Sequence, residues 1–162
     1  MRRAVLAALC AGLAVAGCGE RPAPVEPAPM VSSSLRFDLA RFAGDWVVRQ
    51  ATAGAGPVRA ISVLPEGPER FAWREGTGAQ VVERAGRVTG PGRLALSGPG
   101  GERAIWVLWV DEGFRTAALG APDGSLGLIL DRAETGGADR IEAAREMMDF
   151  NGFDRSRLRG ME

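Results

Sequence analysis

The chain has 162 residues, 46% hydrophobic and 25% charged, which suits one globular domain and argues against wholesale disorder. Its cationic side chains are all arginine and balance the acidic ones to a formal net charge of zero, leaving no net basic footprint for nucleic acid. Histidine is absent, so Ser-His-Asp and Cys-His catalysis and histidine-based metal sites are excluded.

The chain opens with Met1-Arg2-Arg3, a short basic start, followed by a nearly continuous apolar run over residues 4–15. Val15-Ala16-Gly17-Cys18 then ends the run with small residues and a cysteine. A basic start, a short apolar stretch and a small-residue cleavage site make a secretory signal peptide. The run is too short to remain as a membrane-spanning helix. Val15 to Cys18 also resembles the bacterial lipobox. That resemblance implies cleavage before Cys18, diacylglyceryl attachment to its sulfur and acylation of its new N-terminus. Several acyl chains on one residue give stable anchoring, where a single chain is marginal. Gly19, in place of an aspartate, implies the outer membrane, facing the periplasm. Cleavage also removes Cys10 and leaves Cys18 as the one cysteine, so no intramolecular disulfide can form. Residues 19–34 carry prolines and serines without apolar periodicity, the composition of a semi-rigid extended spacer. The division expected is a signal peptide over 1–17, a tether over 18–34 and a folded domain over 35–162.

Within the domain, eight short apolar or alternating runs recur between Gly, Pro and Asp turns. They cover 47–51, 58–64, 70–74, 80–88, 93–97, 103–111, 114–119 and 125–130. Pro65-Glu66-Gly67-Pro68 and Pro122-Asp123-Gly124 mark two of the connections. Short strands joined tightly in series predict a mainly β barrel or sandwich in meander order. Phe71 and Trp73 share one face of their strand, as do Leu94 and Leu96 of theirs. Residues 104–110 and most of 126–130 are apolar on both faces and so require cover outside the sheet as well as inside. Residues 138–150 supply that cover as a helix. Asp139 and Glu142 have the spacing of a capping box, Ile141, Ala144 and Met148 form one apolar stripe, and Asn151-Gly152 is a left-handed stop.

Four motifs, in order, resemble those of the lipocalins, the bacterial outer-membrane type in particular. Asp38-Leu39-Ala40-Arg41-Phe42-Ala43-Gly44-Asp45-Trp46 is similar to the opening Gly-x-Trp motif, which follows a short helical turn. The segment from Val107 to Gly120 looks like a strand–turn–strand of that family. Leu128-Ile129-Leu130-Asp131-Arg132 resembles its final-strand motif, and Gly152 to Leu158 the segment after its helix. The resemblance implies an eight-stranded antiparallel up-and-down barrel with one C-terminal helix packed outside. It also implies that Trp46 plugs the closed end with Arg132 across its ring, so that Gly44, Trp46 and Arg132 close the fold and do no chemistry. Two departures stand out: Val47 replaces the family's tyrosine, and the middle strands are short and glycine-rich, which predicts a shallow or narrow calyx.

The function expected is binding of a small apolar ligand in the barrel, the resemblance suggesting a fatty acid or lysophospholipid. Val48, Phe71, Trp73, Leu94, Leu96, Val107 and Trp109 are the candidate wall residues. The face of Val107 and Trp109 is open, because Trp106 and Leu108 are equally apolar. An eight-stranded barrel has room either for packed side chains or for one small ligand. The alternative is therefore a filled barrel that acts through a protein partner, as periplasmic protease inhibitors do, with residues 22–34 as the arm. No cofactor, metal or catalytic residue is expected: no Lys, His or Tyr is present, and Glu66, Glu69, Glu75 and Glu83 sit in or near loops as solvated surface.

Overall fold

The computed structural model describes residues 31–161. The signal peptide, the lipobox, Cys18 and the spacer up to residue 30 lie outside the described residues. The eight expected strands are all present: β1 Gly44–Ala51, β2 Ala60–Pro65, β3 Arg70–Gly76, β4 Val81–Gly90, β5 Arg93–Gly98, β6 Gly101–Val110, β7 Thr116–Gly120 and β8 Gly127–Asp131. Each pairs antiparallel with the next, and β1 pairs with both β8 and β2, so the sheet closes. The architecture is an up-and-down barrel. Closure leaves almost no free edge, which is how so many short strands avoid edge-to-edge association.

Registers decide which side chains enter the barrel, because directly paired residues point to the same face. Val63 pairs with Trp73 and Trp73 with Arg84, while Phe71 pairs with Gly86 and Gly86 with Leu96. The inner residues form one core that includes Trp46, Val48, Ile61, Val63, Phe71, Trp73, Leu94, Leu96, Ile105, Val107, Leu119 and Leu130. The outer faces of β6, β7 and β8 carry Leu108, Ala118 and Ile129 into a second core with Ile141, Ala144 and Met148 of the helix α2, Ala138–Phe150. The cover required by two-faced apolar strands is thus provided by the expected helix, over the expected residues. Fully burying a leucine or isoleucine stabilises by about 1.5–3 kcal/mol, so this second core is a substantial share of a domain's stability.

The helix ends differ in how far the sequence described them. Asp139 and Glu142 do not form a capping box: Gly137 occupies the N-cap position at φ +66°, with no side-chain cap. Asp139 instead lies in the first turn, where its charge complements the helix dipole. At the other end Gly152 has φ +81°; its N–H donates to the Asp149 carbonyl, and the Phe153 N–H donates to the Met148 carbonyl. This is a Schellman ending, completed by burial of Met148 and Phe153 in the same core.

Two features were not expected. Residues 31–34, placed in the tether by composition, lie against the domain: the Ser32 N–H donates to Asn151 Oδ1 at 2.7 Å and the Ser34 N–H to the Val107 carbonyl at 2.7 Å. A two-residue strand, β9 (Arg159–Gly160), pairs with Gln50 and Ala51 of β1, beyond the point where β2 leaves it.

Candidate functional site

The closed end is built on α1, Leu39–Phe42, whose N-cap Asp38 accepts from the Arg41 N–H at 3.0 Å. Gly44 follows at φ +96°, and a Cβ there would lie 3.3 Å from Arg132 Nη1, so both conformation and space call for glycine. Trp46 is turned inward, its Nε1–H donating to the Phe42 carbonyl at 2.8 Å. The Arg132 guanidinium lies 3.6 Å from the Trp46 ring centroid. It donates to the carbonyls of Asp45 (2.8 Å), Ala43 (2.9 Å), Arg41 (3.1 Å), Phe42 (3.2 Å) and Phe114 (3.3 Å). Burial draws the Arg132 pKa down, against the nearby Asp45 carboxylate, which raises it; the group remains a cation. Gly44, Trp46 and Arg132 therefore meet at one end and seal it.

Above that plug, Val48, Phe71, Trp73, Leu94, Leu96 and Val107 all face the interior. Trp109 does not. A bulge between Val107 and Trp109 sets two residues of β6 against one step of β7. The alternation slips there, so that Val107 and Val110 both point inward while Leu108 and Trp109 lie outside, against the helix-side core. Trp109 is thus removed from the set of wall residues. The bulge has no signature in a run whose members are all apolar.

The mouth holds a group that the sequence reading missed. Glu75, expected on the solvated surface, continues the inward parity of Phe71 and Trp73 and is only 7% exposed. Its Oε1 accepts from Trp73 Nε1 at 3.0 Å and from Arg103 Nη1 at 3.3 Å. Its Oε2 accepts from Arg84 Nε at 3.4 Å. Arg84, 8% exposed, also donates through Nη1 to the Pro99 carbonyl at 2.5 Å. Two guanidiniums thus share one carboxylate just inside the rim. Extending the strand parity by two residues from Trp73 was the available signal for Glu75; Arg84 and Arg103 come from strands whose register only the fold sets. Glu66, Glu69 and Glu83 are exposed, as expected.

The interior between plug and mouth is occupied by its own side chains. Trp46, Val48, Ile61, Val63, Phe71, Trp73, Leu94, Leu96, Ile105 and Val107 are each at most 1% exposed, so no water-sized space adjoins them. The β1–β2 connection folds back so that Ala55 joins this core, and the Thr52 Oγ1 accepts from the Gly127 N–H at 2.9 Å, tying the connection to β8. A cleft of about 780 Å³ lies outside the wall, lined by Thr52, Asp123, Ser125, Phe153, Arg157 and Met161 among others. A second, of about 310 Å³, lies beside the closed end at Arg36, Arg41 and Phe114.

No protein-family model matches the sequence, and no curated protein matches it. Solved structures match its fold. The bovine lipocalin allergen Bos d 2 superposes with a TM-score of 0.59 at 13% identity, over 77% of this chain and 95% of its own. H1 crustacyanin from the lobster Homarus americanus gives 0.60 at 13% identity, over 83% and 88%. An odorant-binding protein gives 0.58 at 10% identity, over 77% and 93%. The closed eight-stranded barrel with a helix packed outside is the lipocalin fold. Fold by itself does not name a ligand.

Proposed function

We propose that this protein is a membrane-anchored lipocalin-like binding protein that takes a small apolar molecule, with an acyl chain as its recognition element, into the barrel. The observation that carries the reading is the inner face. From Trp46 to Trp73 it is lined by apolar side chains, sealed at one end by the Trp46–Arg132 plug and polar only at the mouth. Lipocalin-fold structures include an odorant-binding protein, which supports the same use of the barrel. Because the interior is packed, binding is coupled to displacement of side chains, with Trp73 nearest the mouth cluster. Anchoring rests on the sequence alone: a lipidated Cys18 at the head of a proline-rich spacer holds the barrel at the outer membrane, facing the periplasm. The reaction chemistry of an enzyme has no place in this reading.

A second reading has one observation in its favour. A barrel whose lining leaves no space for water is also what a protein acting only through its outer surface would have.

Tryptophan emission separates the two. Trp46 lies at the plug, and Trp106 and Trp109 lie on the helix side, which leaves Trp73 as the interior reporter. A saturable change on titration with oleate, lost in Trp73→Phe while direct binding persists, is expected. A folded protein that shows neither an emission change nor calorimetric binding would replace this reading with the second. For the anchor, Cys18→Ser should move the protein from the membrane fraction to the soluble one.

A further inference from the structure

The geometry points to the mouth cluster as a binding site for the anionic headgroup of an amphiphile, a carboxylate or phosphate held by Arg84 and Arg103 while its chain occupies the barrel. This inference rests on the acyl-chain reading above and adds to it the chemistry of the other end of the ligand.

Charge count comes first. Inside the rim, two guanidiniums face a single carboxylate, so the cluster carries one net positive charge where Arg84 and Glu75 are nearly buried. A buried charge is tolerated when it is paired, as Arg84 and Glu75 are; the excess cation is the partly exposed Arg103, which is free to meet an incoming anion.

Geometry agrees with the count. The two pairs are 3.4 and 3.3 Å long, whereas an optimised guanidinium–carboxylate bond lies near 2.7–2.9 Å. Glu75 is stretched between its partners, with Trp73 Nε1 as third donor, and satisfies neither arginine well. A guanidinium has five N–H donors. Among the described residues Arg84 uses Nε and Nη1, and Arg103 uses Nη1 alone, so Arg84 Nη2 and Arg103 Nε and Nη2 have no protein acceptor. The Arg103 side chain is 38% exposed, which places the cluster within reach of solvent.

The rim above the cluster is also bare. Gly98 of β5 and Gly101 of β6 are paired, two positions beyond the paired Leu96 and Arg103 and so on the same face. A Cβ on Gly98 would come within 3.1 Å of Arg84 Cγ, so a side chain there would press on the guanidinium stem. At Gly101 a Cβ would meet nothing within 4 Å. Glycine at position 98 leaves Arg84 open to a headgroup, while Gly101, at φ +93°, is called for by the backbone of the turn. A molecule entering tail first would bring its anion to rest here, on the donors Glu75 leaves unused.

The test is calorimetric titration of the full chain with oleate and with oleyl alcohol, which share a tail and differ in charge. Oleate should bind at least about tenfold more tightly, the worth of one charge-assisted hydrogen bond. Arg103→Gln should remove most of that preference, bringing the ratio of the two affinities close to one. Glu75→Gln removes the competing anion and should instead raise the ratio of oleate to oleyl alcohol affinity; this opposite sign protects the test against variants that merely loosen the fold. Octadecyl phosphate behaving like oleate would place phosphate headgroups in the same site. Equal affinity for oleate and oleyl alcohol would overturn the headgroup site while the acyl-binding barrel stands. Failure of both to bind would overturn the acyl-binding reading, and the headgroup site with it.

Discussion

Gly86 offers a direct measure of how tightly the barrel is filled. It faces inward on β4, opposite Phe71 of β3. A Cβ at this position would lie 2.2 Å from Cε2, 2.4 Å from Cζ and 2.5 Å from Cδ2 of the Phe71 ring. Carbon–carbon contacts settle near 3.5 Å or more, so in Gly86→Ala the ring must retreat by about 1.3 Å. It has little room to do so: Phe71 and Trp73 are fully buried, with ring centroids 6.4 Å apart. Overpacking of this kind costs about 1–3 kcal/mol. Replacing a strand glycine returns about 0.5–1 kcal/mol of backbone entropy. With three ring atoms in conflict at a fully buried site the overpacking cost lies in the upper part of that range, about 2–3 kcal/mol, so the net expectation is a loss of about 1–2 kcal/mol, or roughly 3–6 °C in Tm.

Urea unfolding followed by circular dichroism gives the number, and a double-mutant cycle gives its origin. Phe71→Leu alone should destabilise by about 1 kcal/mol or more through lost packing. In the Phe71→Leu background, Gly86→Ala should become neutral or stabilising, a coupling of at least about 1 kcal/mol between the two positions. A neutral Gly86→Ala in the original chain would refute the reasoning, because it would mean that the interior has slack for the ring to move into.

The closed end and the β6–β7 turn carry two further predictions. Arg132→Met loses the ring contact and leaves five backbone carbonyls without their donor, so a loss of about 2–4 kcal/mol is expected in urea unfolding, of which Arg132→Lys recovers less than half. Asp111 should add to acid sensitivity. Burial opposes its ionisation, but the Thr116 and Arg115 backbone N–H groups and the Arg115 guanidinium together outweigh that and hold its pKa below the ordinary value. A depressed folded pKa means that its contribution is present above the unfolded value of about 3.9 and is lost as pH falls through the folded one. Stability measured between pH 6 and pH 2 should therefore fall less steeply in Asp111→Asn than in the original chain.

What the sequence made legible follows from where its signals are local. Turn residues such as Pro122-Asp123-Gly124 bounded the strands, and the Ile141, Ala144 and Met148 stripe set the helix, because each depends on neighbours within a few positions. The plug was legible for another reason: Gly44, Trp46 and Arg132 belong to recurring motifs. Trp109 was misplaced because a bulge slips the face of a strand, and Trp106, Leu108 and Trp109 give that slip no polar marker. Glu75 was missed because a charged residue near a strand end looks solvated, and its partners arrive from β4 and β6 by register. The polar part of the site is thus the part least visible in sequence, being assembled from residues separated by 9 and 28 positions.

A packed barrel can still bind, provided the ligand returns more than it displaces, and this fixes a dependence on chain length. A tryptophan buries about 150–250 Å². Moving Trp73 out to water therefore costs about 4–6 kcal/mol at ~25 cal/mol per Å². Each methylene brought in returns about 0.8 kcal/mol, so the first five to eight or so carbons of a chain only offset the displaced ring. In a series of n-alkanols, which have no charge to engage the arginines, hexanol should show no binding and dodecanol should bind. Trp73→Leu lowers the displacement cost while keeping the position apolar. It should destabilise the fold by about 2 kcal/mol or more, yet bind decanol at least about tenfold more tightly than the original chain. Calorimetry reads both affinities without depending on the tryptophan itself. If Trp73→Leu leaves decanol binding unchanged, the chain does not enter past Trp73, and the packed interior is not the part of this molecule that meets a ligand.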